Sequence, residues 1–462
     1  ESWVSIESEL NTKCNCSASS TPPAYQADGA DTFAAHSVTP APPQTTRERM
    51  KAAAQVASGN MLEMYDFMVF GYYAAAIGRT FFPSSDPYAE LLLSFATFGA
   101  GFLMRPLGAL VLGAYVDRIG RRKGLILTLT LMAIGTLTLT LTPGYAAIGL
   151  LAPLMVLAGR LLQGFSAGVE LGSTSVYLAE IAKPYNKGFI VSFQSASQQI
   201  AVMVAAALGV GLASLISAQD MAAWGWRIPL LIGCLIVPVL FFLRRHLQET
   251  EAFATQHSPP KLKEILTTIQ QEWRVIVTGL FIVLMTTTSF YIITAYTPSF
   301  GSAVLHLSAH VSLVVTLCVG LSNFVLVPVF GALSDKIGRK PLLTGATALA
   351  ILTAYPTMHW LVSAPSFGRL LSVELWLSVL YSAYNGAAVV YLTEIVPPRI
   401  RTTGFSLAYS LATCVGGFTP TLCTWLIHTT GNRAMPGLWL AFAALCGLIA
   451  SVVAQPYDSK KA

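Results

Sequence analysis

Long apolar runs alternate with short polar loops along almost the whole chain. Broken at those loops, the sequence yields twelve runs: 55–78, 89–115, 124–142, 147–181, 188–214, 227–244, 273–300, 310–332, 342–362, 369–396, 403–428 and 437–455. Each is long enough to cross the roughly 30 Å of bilayer hydrocarbon as a helix. The pattern predicts an all-α integral membrane protein with twelve transmembrane helices. Two stretches break the rhythm. Residues 1–48 are rich in Ser, Thr, Pro and Ala without an apolar core, which predicts a disordered tail rather than a signal peptide. Residues 247–272 read as a polar connector.

The polar punctuation repeats. GAYVDRIGRRK at 113–123 returns as GALSDKIGRK at 331–340, and YLAEIAKP at 177–184 returns as YLTEIVPP at 391–398. The offsets are 331 − 113 = 218 and 391 − 177 = 214 residues, so two related halves follow one another nearly in register. The expected division is six helices in 49–246, the connector, and six helices in 273–462. Duplicated helical halves are a common construction of membrane transporters.

Composition narrows the class further. Charged residues make up 11% and hydrophobic residues 54% of the chain, and mean hydropathy is +0.61. Soluble domains carry about 25% charged residues, so a soluble globule is excluded. The net charge of +6 does not point to nucleic acid, because the cations sit in short loops between runs. Arg118, Arg121, Arg122, Lys123, Lys183, Lys187, Lys336, Arg339 and Lys340 all fall on one side, against Arg79, Arg227, Arg369 and Arg433 on the other. The positive-inside rule places both termini and the repeated loops in the cytoplasm. Cys14 and Cys16 lack further ligands nearby, and the other five cysteines sit singly in apolar runs. No metal site, cofactor or catalytic motif is expected, and without a phosphate-binding Gly-Lys-Ser/Thr loop the chain cannot itself couple to ATP.

The doubled loop resembles the signature loop of the major facilitator superfamily. Further stretches are similar to its metabolite–proton symporter branch: SGNMLEMYDF at 58–67, GFLMRPLG at 101–108, RLLQGFSAGVE at 160–170 and WGWRIP at 224–229. SFQSASQQ at 192–199 and MTTTSFY at 285–291 look most like citrate and tricarballylate carriers. The resemblance covers residues 50–450. It implies a monomeric carrier in the bacterial inner membrane that brings a carboxylate into the cell with protons. A dicarboxylate or zwitterion carrier of the same branch, and a sensor without net transport, are the alternatives.

Candidate residues follow from charge placed in apolar runs. Arg105 costs about 2.5–3.5 kcal/mol to insert, so it faces either a substrate carboxylate, which its guanidinium can grip with two parallel bonds, or a structural acid. Asn60, Glu63 and Asp66 recur every three residues on helix 1, and Arg160, Gln163 and Glu170 share a stripe of helix 4. The resemblance makes Asp66 and Arg160 a proton-coupling pair, with Glu63 and Glu170 as further proton sites; a static buried pair is the other reading. Gln194, Ser195 and Gln198 on helix 5 offer amide and hydroxyl groups either to substrate or to neighbouring helices. Tyr291, Tyr296, Asn323, Tyr384 and Asn385 are the candidates from the second half. The resemblance makes Asp117, Arg121, Asp335 and Arg339 a conformational latch; loops that serve only topology are the alternative.

Overall fold

Helices overlie every one of the twelve expected runs. The computed structural model describes residues 60–245 apart from 62, 120 and 169, then 267, 270–397 and 400–457. Residues 1–48, expected as a tail, and nearly all of the 247–272 connector lie outside the described residues, as do the side chains of 113–114, 116–125, 173 and 239–245. Residues 46–462 form one compact unit.

The helices are α1 (60–81), α2 (87–119), α3 (Arg121–Leu141), α4 (Leu151–Ile181), α5 (Lys187–Leu215) and α6 (Arg227–Arg245). They continue as α7 (Trp273–Val304), α8 (Ala309–Ile337), α9 (Arg339–Ser363), α10 (Phe367–Ile395), α11 (Arg401–Thr430) and α12 (Met435–Val453). Among the described residues eight are long and apolar enough to cross a membrane on length and hydropathy. A ninth joins them if the short helix before α6, bent 46° from it, counts as part of the same span. No strand occurs among the described residues.

Burial is inverted relative to a soluble protein. Leu150, Leu235, Leu352 and Val453 are each about two-thirds exposed or more, while Glu63, Asp66, Arg105, Arg160 and Glu374 are all under 3% exposed. Apolar side chains cover the outside of the helices, and the ionisable ones turn inward.

Local chemistry sets the helix ends. Asp86 caps α2, accepting from the Tyr88 amide at 3.0 Å, with Pro87 at the first helical position. Ser308 and Ser366 cap α8 and α10 in the same way. Gly338, with φ of +93°, turns α8 into α9, which explains the second glycine of the repeated loop. α7 is the irregular helix: its residues 292–296 and 300–304 are wound as π-turns around Pro298, which has no amide to give the ordinary bond.

The first six helices meet the last six along two seams, α5 against α8 and α2 against α11. Close approach at the first seam needs glycine on both sides. A Cβ on Gly188 would lie 2.5 Å from the Gly331 carbonyl, and one on Gly331 would lie 2.7 Å from the Gly188 carbonyl.

Candidate functional site

Two glycines carry α2 onto α4 at the centre of the first six helices. A Cβ on Gly101 would meet the Arg160 carbonyl at 3.0 Å, and one on Gly164 would run into the Gly101 carbonyl. Arg105 follows Gly101 by one turn, and Arg160 precedes Gly164 by one turn. The same contact therefore brings both arginines to face α1, whose inward stripe carries Glu63, Asp66, Phe67 and Phe70.

Arg105 pairs with Glu63, Nη2 to Oε1 at 2.5 Å. Its guanidinium also lies over the rings of Phe67 and Phe102, at 5.1 and 4.8 Å. Arg160 stacks on Phe70 at 3.9 Å and on Phe67 and Phe98 at 4.9 and 5.4 Å. Such cation–ring contacts are worth about 2 kcal/mol or more when water is excluded. They keep two guanidinium groups in the interior while leaving their N–H groups free to change partners.

Asp66 and Arg160 do not bond directly, which corrects the expectation of a simple pair. Gln163 stands between them, one turn on from Arg160. Arg160 Nη1 donates to Gln163 Oε1 at 2.8 Å, and Gln163 Nε2 donates to Asp66 Oδ2 at 3.2 Å. An amide offers both a donor and an acceptor, so it can link a cation to an anion. The Thr136 hydroxyl of α3 donates to Asp66 and receives a bond from Gln163 at 2.9 Å. Asp66 Oδ1 and Arg160 Nε and Nη2 have no hydrogen-bond partner. The carboxylate and the guanidinium are thus each half-satisfied, and a small movement could bring them together. Glu170 is buried further along α4 and does not line the cavity described next.

Beside Arg105 lies a small cavity of about 10 Å³, room for roughly one water and far below the 300 Å³ at the lower end of small-molecule sites. Met64, Arg105, Leu171 and Gln198 wall it from the first six helices; Thr286, Thr287, Phe290, Tyr291, Tyr381, Tyr409 and Thr413 wall it from the last six. Three expected substrate residues, Arg105, Gln198 and Tyr291, are on this wall. Four are not. Asn60 sits behind Gln198, accepting from its amide and donating to the Gln194 carbonyl, both at 3.4 Å. Ser195 is tied to Gln194 Oε1 at 2.9 Å. Asn385 is buried on α10 with neither end of its amide bonded. The Gln194 and Ser195 side chains bond each other within α5, and Gln194 Nε2 has no partner.

Two other candidates from the second half are bonded within the protein. The Tyr384 hydroxyl donates to the Ile282 carbonyl at 2.8 Å, fastening α10 to α7. Asn323 links Gln199 across the α5–α8 seam to Ser382, at 3.4 and 3.0 Å. The hydroxyls of Thr286, Thr287, Thr413, Tyr381 and Tyr409 were missed. Thr286 and Thr287 stand in the MTTTSFY stretch, which was a usable signal; Tyr381, Tyr409 and Thr413 sit in ordinary apolar runs and gave none.

The second repeated loop bridges the two sets of helices. Asp335 accepts from the backbone amides of Gly188 and Phe189 at 2.8 and 3.0 Å, capping α5 from the end of α8. Arg339 holds that carboxylate at 2.8 Å and reaches Glu394 at 3.3 Å. Lys187 lies 4.0 Å from Glu394. This joins the two sequence repeats in one cluster, since Glu394 belongs to the YLTE stretch. The side chains of Asp117 and Arg121, the first copy, lie outside the described residues. At the opposite ends of the helices Gly71 packs on Ala295, Ser299 donates to the Gly71 carbonyl at 3.3 Å, and the Tyr88 and His428 rings stack at 3.7 Å. Described residues of the two sets of helices thus touch at both ends.

Comparison with known proteins places this geometry. The Major Facilitator Superfamily model matches residues 56–367 and 309–462. The citrate-proton symporter of Salmonella typhi is 56% identical over 403 residues, covering 87% of this chain and 93% of the relative. The citrate-proton symporter of Klebsiella pneumoniae is 56% identical over 404 residues, covering 87% and 91%. Among solved structures, the xylose transporter from E. coli in a partially occluded, inward-open conformation superposes with a TM-score of 0.69 at 18% identity. It covers 87% of this chain and 96% of that one.

Proposed function

The chain belongs to the Major Facilitator Superfamily, and from that premise we propose that it imports citrate, or a closely similar tricarboxylate, together with protons by alternating access. It is a multi-pass membrane protein and not an enzyme. In this reading it works as a monomer in a bacterial inner membrane, with both termini and the Asp335–Arg339 latch on the cytoplasmic side.

One observation carries the mechanism: Arg105 faces the cavity while it grips Glu63 at 2.5 Å. A substrate carboxylate and Glu63 want the same guanidinium. Protonating Glu63 hands Arg105 to the substrate, so proton and carboxylate bind together. Hydroxyls of Thr286, Tyr291, Tyr381 and Tyr409 add neutral donors for the remaining carboxylate oxygens and the citrate hydroxyl.

Charge accounting supports the coupling. With Glu63 and Asp66 ionised they balance Arg105 and Arg160, and the site has no net charge to attract an anion. Two protons leave Arg105 facing it unpaired, and Arg160, which is off the cavity wall, unneutralised. They also cancel two of the anion's charges, lessening the opposition of an inside-negative potential by about 2.3 kcal/mol per charge per 100 mV. Asp66 is the second site in this scheme, reached from Arg160 through Gln163. The latch among Asp335, Arg339, Glu394 and the start of α5 breaks for inward opening.

The test is uptake of labelled citrate into proteoliposomes under an imposed pH gradient. Acid outside should drive accumulation, and tricarballylate should compete better than α-ketoglutarate or proline. Stronger competition by α-ketoglutarate or proline would move the assignment to a dicarboxylate or zwitterion carrier.

A further inference from the structure

Two buried side-chain amides outside the scheme above have donors with nothing to bond. Gln194 on α5 is fully buried, and its Nε2 has no hydrogen-bond partner. Asn385 on α10 is 1% exposed, and neither its Nδ2 nor its Oδ1 has one. An unpartnered buried amide destabilises the fold that holds it, so folding alone does not account for either group.

Their placement follows from the register of α5 against α10, two helices that pack on each other. At the latch Lys187 and Glu394 lie 4.0 Å apart. At the cavity Gln198 and Tyr381 share the wall. Between those points α5 advances 198 − 187 = 11 residues and α10 goes back 394 − 381 = 13, so the helices run antiparallel in near-constant register. Gln194 precedes Gln198 by four residues, and Asn385 follows Tyr381 by four. Residues four apart share a helix face, so both amides continue the faces that line the cavity. Each sits about 6 Å from its wall residue toward the latch, at 1.5 Å per residue.

The chemistry on offer there is neutral. The Ser195 hydroxyl occupies Gln194 Oε1 at 2.9 Å, which leaves Gln194 its NH2 group. The Asn60 amide, bonded to the Gln194 carbonyl at 3.4 Å, braces that turn of α5. Asn385 adds a second NH2 group and a carbonyl oxygen. The donors suit a carboxylate, and the carbonyl suits a hydroxyl or a protonated carboxyl of the same molecule. A carboxylate leaves neutral amides more readily than a guanidinium, which adds an opposite charge and a bidentate fork.

We propose that Gln194 and Asn385 form a second, uncharged subsite that holds a substrate carboxylate in the inward-open state, once Glu63 has taken back Arg105. This rests on the import reading above. The cavity has room for about one water, so a substrate is seated only with the helices apart. Opening at the latch parts α5 from α10 on the side where the amides lie. The substrate then passes from the arginine to the amides, one turn nearer the cytoplasm, and leaves from there.

The test measures exchange of labelled citrate in proteoliposomes that hold the carrier in one orientation, with the latch side facing the lumen. Half-saturating citrate is determined on each side for the parent, Asn385→Ala and Gln194→Met. Asn385→Ala removes no hydrogen bond, so it should fold like the parent; Gln194→Met gives an independent reading from the other helix. In both variants luminal half-saturation should rise about tenfold, the loss of one hydrogen bond to a carboxylate, while external half-saturation stays within about twofold. Parent-like luminal values in both variants overturn the proposal. An equal rise on the two sides also overturns it, because the amides would then act through packing or the Arg105 site. A parent that exchanges no citrate removes the import reading itself, and the subsite with it.

Discussion

Replacing Glu63 by glutamine separates the two roles of Arg105. Gln keeps the shape of a protonated Glu but cannot hold the guanidinium as a charge-assisted partner, so Arg105 becomes permanently available to substrate. In the parent an incoming carboxylate must first displace Glu63 at 2.5 Å. A hydrogen bond to a charged group is worth about 1.5–3 kcal/mol. At 1.4 kcal/mol per tenfold, citrate binding to Glu63→Gln at alkaline pH should be about ten- to a hundredfold tighter than in the parent. The sign with pH follows. Parent affinity should fall as pH rises and Glu63 reclaims Arg105, whereas Glu63→Gln should bind nearly independently of pH through this site. Uphill accumulation should decline in the variant, because its site no longer needs that proton.

The cost to folding is bounded. Breaking a buried pair by removing one partner is worth about 3–5 kcal/mol, but the Phe67 and Phe102 rings still face the released cation. The purified variant should remain monodisperse with a lowered melting temperature. The assay is calorimetric titration of citrate from pH 6 to 9 into parent and variant. If Glu63→Gln binds citrate as weakly as the parent at high pH, with the same slope, the shared-arginine argument is wrong.

Other substitutions probe the remaining parts. Arg105→Lys keeps the charge and loses the fork, so citrate binding should weaken at least tenfold while the protein still inserts; parent-like affinity in titration removes Arg105 from the site. Asp66→Asn should lose one proton's share of pH-driven accumulation and keep citrate exchange, and unchanged accumulation would leave coupling to Glu63 alone. Gln163→Leu cuts the amide link between Arg160 and Asp66, so it should slow proton-driven uptake more than exchange; equal effects on both would make Gln163 a packing residue. Asp335→Asn removes the cap on α5 and the Arg339 pair. Caps are worth about 0.5–2 kcal/mol, which shifts the closed-to-open ratio about two- to thirtyfold. Labelling of an engineered cysteine in the cavity from the latch side should rise accordingly, and labelling equal to the parent's would make the loop merely topogenic.

Some of this was legible along the chain because it depends on spacing within one helix. The apolar runs gave the helices, and the three-residue rhythm of Asn60, Glu63 and Asp66 correctly put one face of α1 inward. Arg105 and Arg160 stood out because charge in an apolar run demands a partner. Which partner could not be read, because it is set by how α2, α3 and α4 meet α1. Thr136 sits in a threonine-rich stretch of α3 that reads as ordinary span, yet it holds Asp66. The exchange of partners, with Glu63 on Arg105 and Gln163 between Asp66 and Arg160, is likewise a property of packing. The repeated loop announced itself by duplication. That its second aspartate caps a helix from the other set, through glycines at 188 and 331, required the tertiary arrangement.

The most direct test of the central claim is proton movement driven by citrate itself. Proteoliposomes loaded with a pH-sensitive dye and held at equal pH on both sides receive external citrate, with the potential clamped at zero. The account predicts that citrate entry acidifies the interior, and that Arg105→Lys, at the same citrate concentration, acidifies it far more slowly. Citrate entering at the normal rate with no change in internal pH would contradict it.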